Sequence, residues 1–192
     1  MTTRFSCLLC AALLGLSHCK KKEVTPDDQL PPATQTGQNT AGCCVDGIPW
    51  AARVEGLFGP TPISAQWLKS LTTGKKQLSL LFNKAIYDKS HVHAGTSLYF
   101  FVPDLRSAGT FVLDQPANPQ LASSNPAYGK FTFGKPAPDQ VLLTGPQATG
   151  RLVITRFDSA RRVVAGTFEF TAREAAGTAT VQVSEGRFDC QF

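Results

Sequence analysis

Long hydrophobic runs are almost missing from this chain of 192 residues: the longest, Phe5 to Leu16, spans twelve. A membrane-crossing helix needs about 20 consecutive apolar residues, so a polytopic helical membrane protein is excluded. Charge is also scarce, at 17% of residues, and the net charge of +5 owes three units to Lys20, Lys21 and Lys22. The remainder is only mildly basic, with no Lys/Arg stripe interleaved with aromatics, so nucleic acid is not an expected partner. Helical periodicity is missing too: beyond Cys43 no stretch of a dozen residues sustains a 3.6-residue repeat, which argues against a helical core. What the chain does have is 42% hydrophobic residues, 13 of them Phe, with 16 Gly and 13 Pro to punctuate them. That balance excludes global disorder and fits one ordinary domain with extra segments.

The N-terminus carries the sharpest signal. Met1 to Arg4 is a short, singly basic stretch, and the twelve-residue apolar run after it has the length and flanks of a secretory signal peptide. The run ends in Leu16-Ser17-His18-Cys19, which resembles the lipobox of bacterial lipoproteins, with Cys19 as the lipid attachment site and residues 1–18 removed. His18 departs from the small residue usual before that Cys. Cys7 and Cys10 lie inside the apolar run and read as small hydrophobes. Two or three acyl chains on Cys19 would hold the protein at a membrane, each buried methylene contributing about 0.8 kcal/mol. Residues 19–41 then read as a flexible tether rich in Pro, Thr, Gln and Asp, with a reach of roughly 25 Å. The polar run Thr34-Gln35-Thr36-Gly37 is unusually marked for a tether, and its second half is expected to lie along a sheet edge.

Residues 42–192 read as a single antiparallel β-domain. Cys43-Cys44-Val45, Asp46-Gly47 and Ile48-Pro49-Trp50 spell a hairpin, because Asp-Gly supplies the two positive-φ positions of a type I′ turn, and Pro49 marks the second strand as an edge. Further strands are expected at 77–83, 96–102, 109–113, 129–133, 150–157, 162–172, 178–184 and 186–192, roughly nine or ten in all. Residues 64–71 are compatible with a short helix or a strand. Leu98, Phe100 and Val102 share one face and Tyr99 and Phe101 the other, so that strand should be central. The last strands, joined by turns at 158–161 and 174–177, should form a meander. With no helix to cover its apolar face, such a sheet must stack on another or close on itself, giving a β-sandwich or flattened barrel.

Three thiols follow Cys19: Cys43, Cys44 and Cys190. A disulfide between Cys43 and Cys190, with Cys44 as the alternative partner, would require the first and last strands to be neighbours. Closing so long a loop would stabilise by roughly 5 kcal/mol on the chain-entropy argument. Chemistry-bearing patterns are sparse. His91 and His93 project to one side of a strand as two metal ligands can, with Asp88 and Asp104 in reach, but no Cys or His spacing completes a zinc site and no metal or cofactor is expected. No G-x-S-x-G elbow singles out a nucleophile. Glu169, Glu185, Asp158 and Asp189 alternate with apolar residues and read as solvent-facing charge rather than a catalytic carboxylate pair. Trp50, Trp67, Tyr87, Tyr99 and Tyr128 would offer a sugar-stacking platform if several shared one exposed face.

Leu30-Pro31-Pro32-Ala33-Thr34-Gln35-Thr36-Gly37 through Cys43, then Val45-Asp46-Gly47 and Trp50, Gly150 to Asp158, Gly166-Thr167-Phe168-Glu169-Phe170 and Gly186-Arg187-Phe188-Asp189 resemble a Bacteroidota family of small envelope lipoproteins of unknown function. The resemblance covers the signal, the tether and both ends of the domain. It implies a β-rich lipoprotein of the bacterial envelope, lipid-anchored in the outer membrane, and brings no assigned activity. Two function classes follow: a non-catalytic binding or structural module, the binding being of a glycan, a small ligand or an envelope protein through loops such as 53–62 and 114–128 or through a sheet face, and, as the alternative, a hydrolase of envelope polymers.

Overall fold

The computed structural model describes residues 29–56, 59–88, 91–121, 124–134 and 139–192. The expected signal peptide, residues 1–18, and the expected lipid site Cys19 lie outside the described residues. Twelve strands form one sheet: β1 (Thr40–Val45), β2 (Ile48–Ala51), β3 (Arg53–Glu55), β4 (Ile63–Lys69), β5 (Lys76–Asp88), β6 (His91–Val102), β7 (Gly109–Val112), β8 (Tyr128–Phe133), β9 (Gln140–Leu143), β10 (Gly150–Asp158), β11 (Val163–Glu174) and β12 (Thr180–Gln191). The main path runs β2-β1-β12-β11-β9-β8-β6-β5-β3. Its two ends, β2 and β3, are separated in sequence only by Ala52, whose N–H donates to the carbonyl of Ala41 at 2.9 Å. The chain itself therefore bridges the ends, and the sheet is nearly closed into a flattened barrel.

Two long strands change partners along their length. The first half of β11 pairs with β10 and its last residues with β9. Likewise β5 pairs with β4 over Lys76–Phe82 and with β3 over Lys84–Ile86. Between the two halves sits a phenylalanine core. The ring of Phe100 lies 4.8 Å from Phe168 and 5.6 Å from Phe170, and Phe82 lies 5.9 Å from Phe188. Each such side chain contributes roughly 1.5–3 kcal/mol by leaving water.

The sequence pattern explains most of this. Asp46 and Gly47 adopt φ of 49° and 78°, as a type I′ turn demands, and Pro49 sits on β2, at the end of the sheet path. β6 is central, between β5 and β8, with both Phe100 and Phe101 buried. β10, β11 and β12 form the meander.

Three expectations need correction. Among the described residues the strand count is twelve rather than nine or ten: β3 and β9 are too short for their alternation to show, residues 64–69 belong to β4 with Ile63, Ala65 and Trp67 facing the core, and residues 178–184 and 186–192 fall largely on one continuous strand. That strand passes Glu185 at φ 54°, opposite a register shift between Phe168 and Phe170, so a bulge bends it without ending it. Second, the domain does not begin at residue 42. β1 starts at Thr40, and the preceding residues are bonded to the barrel as described below. Third, Cys43, Cys44 and Cys190 are free thiols. β1 and β12 are indeed neighbours, but Thr40 faces Asp189, which sets Cys43 about 13 Å along the strands from Cys190 at about 3.3 Å per residue. A disulfide needs Cα atoms within about 7 Å.

Candidate functional site

Phe188, Asp189 and Cys190 are all buried, although successive strand residues face opposite sides of a sheet. The outward face of β12 must therefore have a second cover. Residues 30–39 provide it, running across β12 and the adjoining strands as a strap. Its anchor is Asp189, 1% exposed. The Asp189 carboxylate accepts the hydroxyl of Thr34 at 2.7 Å and the backbone N–H groups of Thr36, Gly37 and Gln38 at 2.9, 2.7 and 3.2 Å. Burial alone would raise the pKa of this carboxyl, but the four donors outweigh it and hold the group below the ordinary carboxylate value. Gly37 makes the convergence of amides feasible: its φ is +81°, and a β-carbon there would lie 2.8 Å from Gln191 Cγ. Further along, Gln35 Nε2 donates to Thr155 Oγ1 at 3.0 Å, Arg156 donates to the Gln35 carbonyl, and the Gln191 N–H donates to Asn39 Oδ1 at 2.9 Å.

At the beginning of the strap Ala33 forms one wall of a cleft of about 300 Å³ on the outer face of β10, β11 and β12. Arg151, Val153, Thr167, Glu169 and Arg187 line it, and Gly186, which carries no side chain, leaves room for the ring of Phe168. Arg151 Nε meets Glu169 Oε1 at 2.9 Å, and Arg187 lies 3.9 Å from Glu185. A wider depression of about 830 Å³ shares Arg151 and Glu169 and continues over Val112, Asp114, Thr171 and Gln182. Both clefts thus meet at one exposed ion pair. Such a pair adds little to stability, about 0–1 kcal/mol, yet it presents guanidinium donors and carboxylate acceptors side by side. That chemistry suits a ligand carrying both signs of charge or many amide groups.

The structure sorts the sequence candidates. Glu169 and Glu185 are solvent-facing, as expected, and Asp158 is held by Arg156 at 3.1 Å while accepting the Arg161 N–H at 2.9 Å. Asp189 corrects the reading: it is buried and structural. Of the four carboxylates Glu169 and Glu185 line the same cleft of about 300 Å³, each beside an arginine. The signal for the buried Asp189 was present, in the Thr34-Gln35-Thr36-Gly37 run, but its partner lies some 150 residues away. Cys43 and Cys190 face the core, where burial pushes each thiol up to about 12. The side chains of Tyr87, His91 and His93 lie outside the described residues, so the metal and histidine readings do too. Among the described residues no group of three His, Cys, Asp or Glu could hold a metal ion.

Among the described side chains the aromatic platform does not form. Trp50 and Tyr128 are buried, with Trp50 Nε1 donating to Thr96 Oγ1 at 2.8 Å, and Trp67 packs edge-on against Phe157 at 5.1 Å. Tyr99 is held by Ser79 at 3.2 Å and carries Lys130 over its ring at 5.0 Å. The loop at 114–128 is pinned from within: Asn125 accepts the Asn118 N–H at 2.7 Å and donates to its carbonyl at 2.8 Å, while Asp114 reaches the wider cleft. Comparison with protein-family models, curated proteins and solved structures finds no match to this chain.

Proposed function

We propose that the chain is a lipid-anchored envelope lipoprotein of the kind it resembles, whose barrel is a non-catalytic module that binds a protein partner across the β10–β12 face. The observation that carries this reading is the strap. It makes the anchor-side segment a wall of the cleft through Ala33, so that the ligand site and the chain leading to Cys19 are one construction. The chemistry of the face supports a peptide-like ligand over a glycan, because paired Arg151 and Glu169 offer matched donors and acceptors, whereas among the described candidates for sugar stacking Trp50 and Tyr128 are buried, Trp67 packs against Phe157 and Tyr99 lies half-buried beneath Lys130.

The test is a charge reversal on an exposed face. Envelope extract passed over the immobilised chain and over an Arg151→Glu, Arg187→Glu variant should leave a species on the first that the second no longer retains, with no glycan selected on arrays. Identical retention by both would remove the face from consideration. Selective glycan binding abolished by the same variant would replace the protein ligand with a sugar.

A further inference from the structure

The hairpin that joins β4 to β5 displays its hydrophobic residues in an unusual way. Leu71 at its tip is 103% exposed and Leu68, three residues earlier, 58%. A loose loop would explain such exposure, but this turn is internally fastened. Ser70, 5% exposed at its base, donates its N–H to the Lys75 carbonyl at 2.8 Å and accepts the Gly74 N–H at 2.9 Å on its own carbonyl, while its hydroxyl accepts the Thr73 N–H at 3.1 Å. Gly74 takes the φ of +68° that closes the turn. Trp67 then ties the hairpin to the neighbouring 103–106 loop, donating through Nε1 to the Leu105 carbonyl at 3.2 Å.

Around the turn that carries Leu71 stands a basic collar. Lys69, Lys75 and Lys76 flank the turn, and Arg106, its side chain 79% exposed, projects from the adjacent loop. The carboxylate in this collar is Asp104, which is already shared by Arg106 at 3.1 Å and Lys75 at 3.5 Å. Lys76 is partly engaged, its ammonium 4.1 Å above the Trp67 ring. Four cations against one carboxylate, beside exposed leucines on a stiff turn, complement a surface that is apolar within and anionic at its rim.

We propose that the β4–β5 hairpin tip is a membrane-docking element: Leu71 and Leu68 enter the interfacial zone of a bilayer while Lys69, Lys75 and Arg106 meet anionic lipid phosphates. This contact is separate from the β10–β12 face and does not require acylation of Cys19. In a lipid-anchored chain it would fix the orientation of the barrel against the membrane.

The test uses residues 19–192, which hold the strap and every strand, with Cys19→Ser to remove the acyl acceptor. Sedimentation with phosphatidylcholine vesicles containing phosphatidylglycerol should show binding that weakens as salt rises and is missing with phosphatidylcholine alone. Leu71→Asp should weaken it by roughly tenfold or more, and Lys69→Gln or Lys75→Gln by roughly fivefold each, as expected for one cation near an anionic surface. Leu71 touches no core residue, so its variant should keep the thermal midpoint of the parent. Equal vesicle binding by the Leu71→Asp chain would overturn the proposal. So would binding that disappears only when Lys20, Lys21 and Lys22 are all changed to Gln, and so would failure to bind anionic vesicles at low salt.

Discussion

Asp189→Asn changes one atom of a buried side chain and tests whether the strap belongs to the folded domain. In the parent, Oδ2 accepts Thr34 Oγ1, Thr36 N–H and Gln38 N–H, and Oδ1 accepts Gly37 N–H. An asparagine can place its carbonyl oxygen on one side only. If it serves the three donors, its NH₂ faces the Gly37 amide and leaves that donor unsatisfied, at a cost of about 1–3 kcal/mol. The three remaining bonds lose their charge assistance, which roughly halves each. Together these effects amount to about 3 kcal/mol, a large fraction of the 5–15 kcal/mol typical of a domain, and about 6–12 °C in thermal midpoint at this size. The pH dependence has a defined sign. Because the folded carboxyl titrates below its ordinary value of 3.8, its contribution is fully present above that value and is lost as pH falls through the lower, folded one. The variant should lack this acid-side loss. Denaturant and thermal unfolding followed by circular dichroism, with amide exchange read at Thr36, Gly37 and Gln38, would measure all of it. A variant within about 0.5 kcal/mol of the parent, with those amides exchanging equally fast in both, would refute the reasoning.

Other outcomes follow from the same structure. Phe100→Ala removes a fully buried ring that contacts Phe168 and Phe170 and should cost about 3–5 kcal/mol by chemical denaturation, with a loss under 1 kcal/mol contradicting its central place. Gly166→Ala would drive a β-carbon against the carbonyl oxygen of Val153 across the β10–β11 pair, so this variant should be destabilised by about 3 kcal/mol or more despite its small added volume. Native thiols should react in a fixed order, the half-buried Cys44 before Cys43 and Cys190, and reductant should leave the thermal midpoint unchanged; a midpoint lowered by reductant would restore the disulfide.

How far the sequence could carry this picture follows from the range of each signal. Asp46-Gly47 determines its hairpin through two local φ values, and the alternation of Phe168 and Phe170 with Thr167 and Glu169 declares one side of β11, so both were legible. β3 and β9 are three and four residues long and owe their existence to the strands beside them, which no local pattern announces. The buried state of Asp189 was hidden for a related reason. A carboxylate three residues before Phe192, on a strand with regular alternation, reads as exposed until a segment 150 residues earlier is seen to donate four hydrogen bonds to it. The disulfide failed on register rather than on neighbourhood. The disulfide required the first and last strands to be neighbours, which they are, but the offset between Cys43 and Cys190 is set by the pairing of Thr40 with Asp189. The smaller cleft on β10–β12 is lined by Gly186 and by Ala33, and the part played by Ala33 has no meaning before the strap is in place.

Mass spectrometry of the N-terminal peptide, taken from protein recovered in the membrane fraction of its host, addresses the anchored-module account most directly. The account predicts a chain that starts at Cys19 and carries a diacylglyceryl thioether on that sulfur. A chain that starts elsewhere, or an unmodified Cys19 on membrane-fraction protein, would contradict it.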